Sequence, residues 1–195
     1  MNDIWNQRYA QESYVYGIEP NKFYKEQLSK LQPGKILFPA EGEGRNAIFA
    51  ALKGWDVVAF DSSEEAKKKA EKLAANNNIK LNYIISSIEE FEYAENCFDA
   101  IVLIYVHTRN REENHRKLIR FLKPGGTLIL EGFAKNQLLN SSGGPRDKEM
   151  LFSVEELKSD FKTHNDIKLS ELNIELNEGL LHIGKASVIR VIETK

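Results

Sequence analysis

Apolar runs and helix-like stretches alternate between residues 36 and 133. Ile36–Phe38, Val57–Phe60, Leu81–Ile85, Ala100–Ile104 and Thr127–Leu130 are short and apolar, as buried strands are. Ala100–Ile104 is apolar on both faces, which marks a central parallel strand. Between the runs, Arg45–Lys53 sets Ala47, Ile48, Ala50, Ala51 and Leu52 on its inner side and reads as a helix. A second helix runs from Glu64 to about Asn77, with acids first and lysines later, the order a helix dipole prefers. Ser62 or Ser63 caps it. A third, Arg111–Leu122, ends in Lys-Pro-Gly-Gly, a stop signal.

The end of the chain changes pattern. After a short helix over Val154–Phe161, two strand patterns follow at Lys168–Leu176 and Leu181–Ile192 with only a turn between them. So short a connection permits only an antiparallel pair. The expected architecture is α/β, Rossmann-like and doubly wound. Its mostly parallel seven-stranded sheet is closed by a C-terminal antiparallel hairpin, with helices on both faces. One domain is expected for 195 residues. It divides into an N-terminal helical lid segment (1–32), a core that would hold a cofactor (33–133), and a loop, helix and terminal hairpin (134–195). Residues 134–150, containing Ser-Ser-Gly-Gly-Pro, read as a flexible loop.

Composition narrows the function. Hydrophobic residues make up 42% of the chain, enough for a full core, and a net charge of -2 offers no global basic surface to nucleic acid. The lysine run at Lys67, Lys68, Lys69 and Lys72 is interleaved with Glu64, Glu65 and Glu71 and is placed on a solvated face. The single cysteine, Cys97, excludes an internal disulfide and a cysteine-built zinc site, and fits a reducing compartment. No metal is expected. The polar start lacks an apolar signal core, and the longest apolar run, Ala100–Val106, is too short to span a bilayer. These features predict a cytoplasmic protein, monomeric or homodimeric, with no nucleic-acid or membrane partner.

The glycine loop carries the chemistry. Gly42 and Gly44 stand between a strand and a helix, and Asp61 ends the next strand, 19 residues after Gly42. A carboxylate about 20 residues beyond the glycines can accept hydrogen bonds from ribose hydroxyls. Dinucleotides and S-adenosylmethionine share such sites, and charge separates them. NAD sets a pyrophosphate against the loop. Glu41 and Glu43 would repel it, each at a cost on the order of 4 kcal/mol at about 4 Å and a dielectric of about 20. S-adenosylmethionine carries a sulfonium and an ammonium, which the same carboxylates favour. Ala47 also stands at the third glycine position of the dinucleotide pattern.

From Leu37 to Phe133 the chain resembles class I S-adenosylmethionine-dependent methyltransferases. Gly-Glu-Gly-Arg-Asn-Ala, Phe98-Asp-Ala-Ile-Val and Leu122-Lys-Pro-Gly-Gly126 carry the resemblance. The opening, Trp5 with Arg8-Tyr9 and Tyr16-Gly17-x-x-Pro20-Asn21, resembles the lead-in of tellurite-resistance and thiopurine-type enzymes. The resemblance implies that Ala40, Gly42 and Gly44 let the backbone approach the methionine part of the donor, with Arg45 and Asn46 beside it. Asp61 would hold the ribose with Ser62 nearby, Ser87 and Ile88 would meet adenine, and Ile104 would lie under the sulfonium. Two positions depart from the family pattern: Phe38 stands where an acid usually ends the first strand, and Ala40 where a glycine usually stands. Glu41 is the expected substitute for the missing acid.

For the acceptor, the loop Tyr105-Val-His-Thr-Arg109 follows the fourth strand, at the sheet end where open parallel sheets bind ligands. His107 is the candidate catalytic base and Arg109 the candidate anchor for an anionic acceptor. Tyr14 and Tyr16 are candidate substrate-binding residues on an aromatic N-terminal lid. His115 is placed on a surface. His182 and Glu178 lie near a hairpin turn that could reach the site. The expected reaction is in-line methyl transfer to a small-molecule acceptor, a thiol or a chalcogen oxyanion by resemblance. The alternatives are a non-catalytic donor-binding module and an NAD(P)-dependent oxidoreductase.

Overall fold

A computed structural model describes residues 2–161 and 166–195. The chain divides into two compact units, Met1–Glu92 with Glu178–Leu181, and Tyr93–Asn177 with His182–Lys195. The strands run in the order β3-β2-β1 in the first unit and β4-β5-β7-β6 in the second.

In the first unit, β1 (Lys35–Pro39), β2 (Asp56–Asp61) and β3 (Asn82–Ile85) are parallel, with Leu37 opposite Val58 and Ala59 opposite Tyr83. Ile36, Leu37, Phe38, Val58, Ala59 and Phe60 are all buried, because a parallel sheet covered on both faces has no solvent side. Helices α1 (Asn2–Tyr9), α2 (Lys22–Leu28), α3 (Arg45–Leu52) and α4 (Glu64–Asn76) complete the unit. Of the two candidate caps, Ser63 is the one used. Its hydroxyl accepts from the Ala66 amide and donates to Asn6 Oδ1, which ties α1 to the start of α4.

In the second unit, β4 (Phe98–Ile104) pairs in parallel with β5 (Leu122–Phe133), and β5 pairs antiparallel with β7 (His182–Thr194), Ile129 opposite Ile192. Helices α5 (Arg111–Phe121) and α6 (Val154–Asp160) and strand β6 (Asp166–Glu178) complete it. The Lys-Pro-Gly-Gly stop works differently from expectation. Phe98 pairs with Leu122 but Ala100 with Thr127, so residues 123–126 bulge out of β5, with Gly125 at φ 79°. Residues 134–150 are also not the flexible loop expected. They hold two 3₁₀ turns, Lys135–Leu139 and Lys148–Met150. Buried Gln137 donates to Ser142 Oγ and the Gly143 carbonyl and accepts from the Ser187 amide, so the loop's polar groups are satisfied internally.

Candidate functional site

Three left-handed residues shape the turn after β1: Ala40 (φ 48°), Gly42 (φ 65°) and Gly44 (φ 89°). Gly44 is required sterically, since a Cβ there would lie 2.7 Å from Ala70 Cβ on α4. Gly42 is gripped on three sides. Its amide donates to Asp61 Oδ2 at 3.0 Å, its carbonyl accepts from Tyr83 Oη at 2.6 Å, and a Cβ would lie 2.8 Å from Tyr9 Oη. The other Asp61 oxygen accepts from the Ser63 amide at 2.9 Å. Burial raises the Asp61 carboxyl above its usual range despite these amide bonds. Each carboxylate oxygen keeps a lone pair for another donor.

Glu41 closes the loop onto α3. Its Oε1 accepts from the Asn46 and Ala47 amides at 2.9 and 2.8 Å, supplying the cap that Gly44 has no side chain to give. Burial pushes the Glu41 carboxyl up to about 7, against the lowering effect of those amides and of Arg45. Ala40 is exposed and Glu41 partly so, in a loop whose remaining residues are buried.

Glu43 does not have the role its sign implied. Its side chain is buried and paired with Lys69 at 2.8 Å, and its Oε2 accepts from the Val15 and Tyr16 amides. Lys69 therefore leaves the solvated face assigned to the lysine run. Lys67 and Lys68 do pair with glutamates of the same helix, Glu71 and Glu65. Arg45 and Asn46 also turn inward. Arg45 pairs with Glu178 at 2.7 Å and donates to the Tyr16 carbonyl, while Asn46 Oδ1 accepts from the Asn21 amide. The hairpin tip thus reaches the start of α3 through Glu178, and Leu180 N–H donates to the Val15 carbonyl of the N-terminal segment.

The two lid tyrosines are packed. Tyr14 lies against Ile48, Leu73 and Ala74 and donates to the Lys69 carbonyl. Tyr16 packs on Tyr9, Val15 and Ala66 and accepts from Arg8. These contacts give both tyrosines a packing role beside the substrate-binding role expected of them. Ser62 is half-buried beside Asp61. Ser87 takes the amide of Glu90 in a turn, and Ile88 is buried.

In the second unit, Ile104 is half-buried at the end of β4. His107 is not available as a base. Nδ1–H donates to the Met150 carbonyl at 2.7 Å and Nε2 accepts from the Phe133 amide at 3.1 Å. The ring also packs on Phe133 and Phe152. Burial, with smaller contributions from His115 and His182, lowers its pKa to about 4. Arg109 pairs with Asp147 and is 71% exposed, so it is a surface cation. His115 is buried, not superficial. Its Nδ1 lies 2.7 Å from Asp160 Oδ2, which also pairs with Arg111. Tyr105 holds φ 57°, its amide and hydroxyl donate to the carbonyl and Oε1 of buried Glu131, and its ring stacks on Phe133. Arg190 donates to the second Glu131 oxygen. Such strain in a bulky residue persists only where its surroundings over-determine it.

Residues 36–126 match the methyltransferase-domain family. The ubiquinone biosynthesis O-methyltransferase of Rickettsia akari is 34% identical over 109 residues, 55% of this chain and 42% of that protein. The Rickettsia typhi protein of the same name is 32% identical over 117 residues, 59% of this chain and 46% of that protein. The chain thus spans less than half the length of these curated relatives. Solved folds agree. TehB from Haemophilus influenzae superposes with a TM-score of 0.71 at 16% identity, over 100% of this chain and 66% of that one. A structure from work on converting a disulfide into a thioacetal in echinomycin biosynthesis gives 0.78 at 16% identity, over 100% and 92%. Residues 36–126 are thus similar to a methyltransferase domain.

The residues of the matched region fit S-adenosylmethionine. Asp61 has acceptor capacity for ribose hydroxyls, Ala40 is exposed in the turn, and Glu41, a partly exposed residue, supplies a carboxyl suited to an ammonium. With Glu43 neutralised by Lys69, the charge argument against a pyrophosphate rests on Glu41 alone. Sequence reasoning missed Tyr83 as a support of the glycine loop and Glu131 as the partner of Tyr105. An aromatic residue within the short apolar run of β3 was the available signal for the first. The position of Glu131 among apolar residues late in β5 was the signal for the second.

Proposed function

We propose that the chain transfers a methyl group from S-adenosylmethionine to a small-molecule acceptor whose nucleophile is a thiol or another chalcogen anion. The bound donor supplies a methyl group activated on a sulfonium. Asp61 holds the ribose, Glu41 receives the ammonium, and the backbone at Ala40 and Gly42 makes room for the chain between them. The neutral, doubly bonded His107 is the observation that carries the acceptor class. A group with both ring nitrogens committed takes no proton from an acceptor. A nucleophile already substantially ionised near neutrality suits such a site. Alignment and exclusion of water then carry the catalysis.

Methyl transfer to oxygen is a second reading, favoured by the names of the Rickettsia relatives. The purified chain, labelled donor and a panel of 2-mercaptoethanol, thiophenol and catechol distinguish the two. Methylation of a thiol, with a rate rising through that thiol's pKa, is expected. Methylation of catechol alone selects the second reading, and tight donor binding without transfer to any acceptor leaves a binding module. S-adenosylhomocysteine, but not NAD or NADP, is expected to raise the melting temperature. A ligand at 100 times its Kd adds about 2.7 kcal/mol.

A further inference from the structure

Tyr9 is a buried residue to which neither the sequence motifs nor the relatives assign a role. It comes from the last turn of α1, and its ring is fixed by stacking on Trp5 at 5.6 Å, by an edge contact with Tyr16 at 6.4 Å, and by packing on Val15 and Ala66. These contacts aim its hydroxyl at the Cα of Gly42, the residue whose amide binds Asp61. Among the described residues, no side chain or backbone group forms a hydrogen bond with this hydroxyl, whereas Tyr83, on the carbonyl of the same glycine, is fully engaged. The second tyrosine at one glycine is therefore surplus to the packing of the loop. A hydroxyl with no bond inside the protein is left for water or a ligand to satisfy.

We infer that Tyr9 binds the donor, with its hydroxyl donating to a ribose hydroxyl oxygen that itself donates to Asp61. The inference rests on the donor reading above and extends it to a residue outside the matched domain. Charge selects the ribose over the donor's carboxylate. Burial first and the Asp61 charge second disfavour the phenolate of Tyr9, and the same charge would repel a carboxylate. A sugar hydroxyl suits the position because it can accept from Tyr9 and donate to Asp61 at once. Trp5 and Tyr16 then act on the donor indirectly, by holding the Tyr9 ring, and α1 becomes part of the binding site.

The test compares Tyr9→Phe with the parent in calorimetric titrations of three probes: S-adenosylhomocysteine, 5′-methylthioadenosine and the 2′,3′-dideoxy form of the latter. Phenylalanine keeps the ring packing, and a melting curve confirms it. Loss of one hydrogen bond is expected to weaken the first two probes alike, by roughly threefold to tenfold. The dideoxy probe should bind both proteins equally. Unchanged affinity for the first two probes overturns the inference while leaving the donor reading intact. Weakening of S-adenosylhomocysteine but not of methylthioadenosine also overturns it, because the bond would then reach the amino-acid end. If the parent binds neither of the first two, the donor reading falls, and the role of Tyr9 with it.

Discussion

Glu41 shows how one side chain serves the fold and the proposed ligand together. Its carboxyl caps α3 and titrates near 7, above the ordinary glutamate value of 4.5. Between those values the folded chain keeps a proton that the unfolded chain has lost, so stability falls as pH rises across the window. A bound ammonium reverses the preference and expels the proton. Affinity for S-adenosylhomocysteine should therefore rise with pH to about 7 and then level off. In Glu41→Gln, which can still cap α3, calorimetry should show weaker binding without that slope. Equal affinity at pH 8 would remove Glu41 from the donor site. Ala40 offers a second check. Its left-handed φ costs roughly 1–2 kcal/mol, so Ala40→Gly should gain up to about 1 kcal/mol in urea unfolding after the added entropy of the unfolded chain. The sequence revealed that Glu41 and Glu43 shared a sign but not that they differed in environment. Glu43 finds Lys69 on α4, and no local pattern announces a partner 26 positions away. His115 was misread for the same reason, because its charged helix neighbours hid Asp160, 45 positions away.

Helix and strand periods were legible almost to the residue. β1, β2, α3, α4 and α6 fall within two residues of their sequence limits, because burial on one or both faces dictates their patterns. The irregular joints were not legible. The bulge at 123–126 and the Gln137-centred turns depend on pairing and side-chain bonds that form only after the strands align. The N-terminal segment was readable by its aromatic face, but how it is fastened was not. Glu43–Lys69 holds Ser13, Val15 and Tyr16, while Arg45–Glu178 holds the hairpin tip. Removing one member of such a buried pair strands the other charge. Lys69→Met should cost about 3–5 kcal/mol in urea unfolding, and Glu43→Gln added to it should restore part of the loss. If the double variant is no more stable than Lys69→Met alone, the pair is not coupled as described.

Across the whole molecule, buried titratable groups pull the pH dependence of stability in opposite directions. His107 falls to about 4, and His115 is also lowered, both chiefly by burial. The unfolded chain protonates these imidazoles below about 6.5, so their contribution makes stability rise with pH up to that point. Glu41 and Glu193 are raised by burial to about 7, so their contribution makes stability fall between 4.5 and 7. The two sets oppose each other over nearly the same range, and melting temperature should change little between pH 4.5 and 6.5. Glu193 is the better handle, since it lies fully buried on β7 and has no place in the proposed donor site. Glu193→Gln carries no charge at any pH, so it should match the parent near pH 4 and exceed it above pH 7. A shift from 4.5 to about 7 corresponds to roughly 3 kcal/mol at 1.36 kcal/mol per unit. With one carboxyl removed the imidazoles prevail, and the variant's melting temperature should climb from pH 4.5 to 6.5. Parallel curves for parent and variant across pH 4 to 8 would show that Glu193 ionises alike in the folded and unfolded chains. The acid-side slope would then have to be reassigned to the histidines and Glu41.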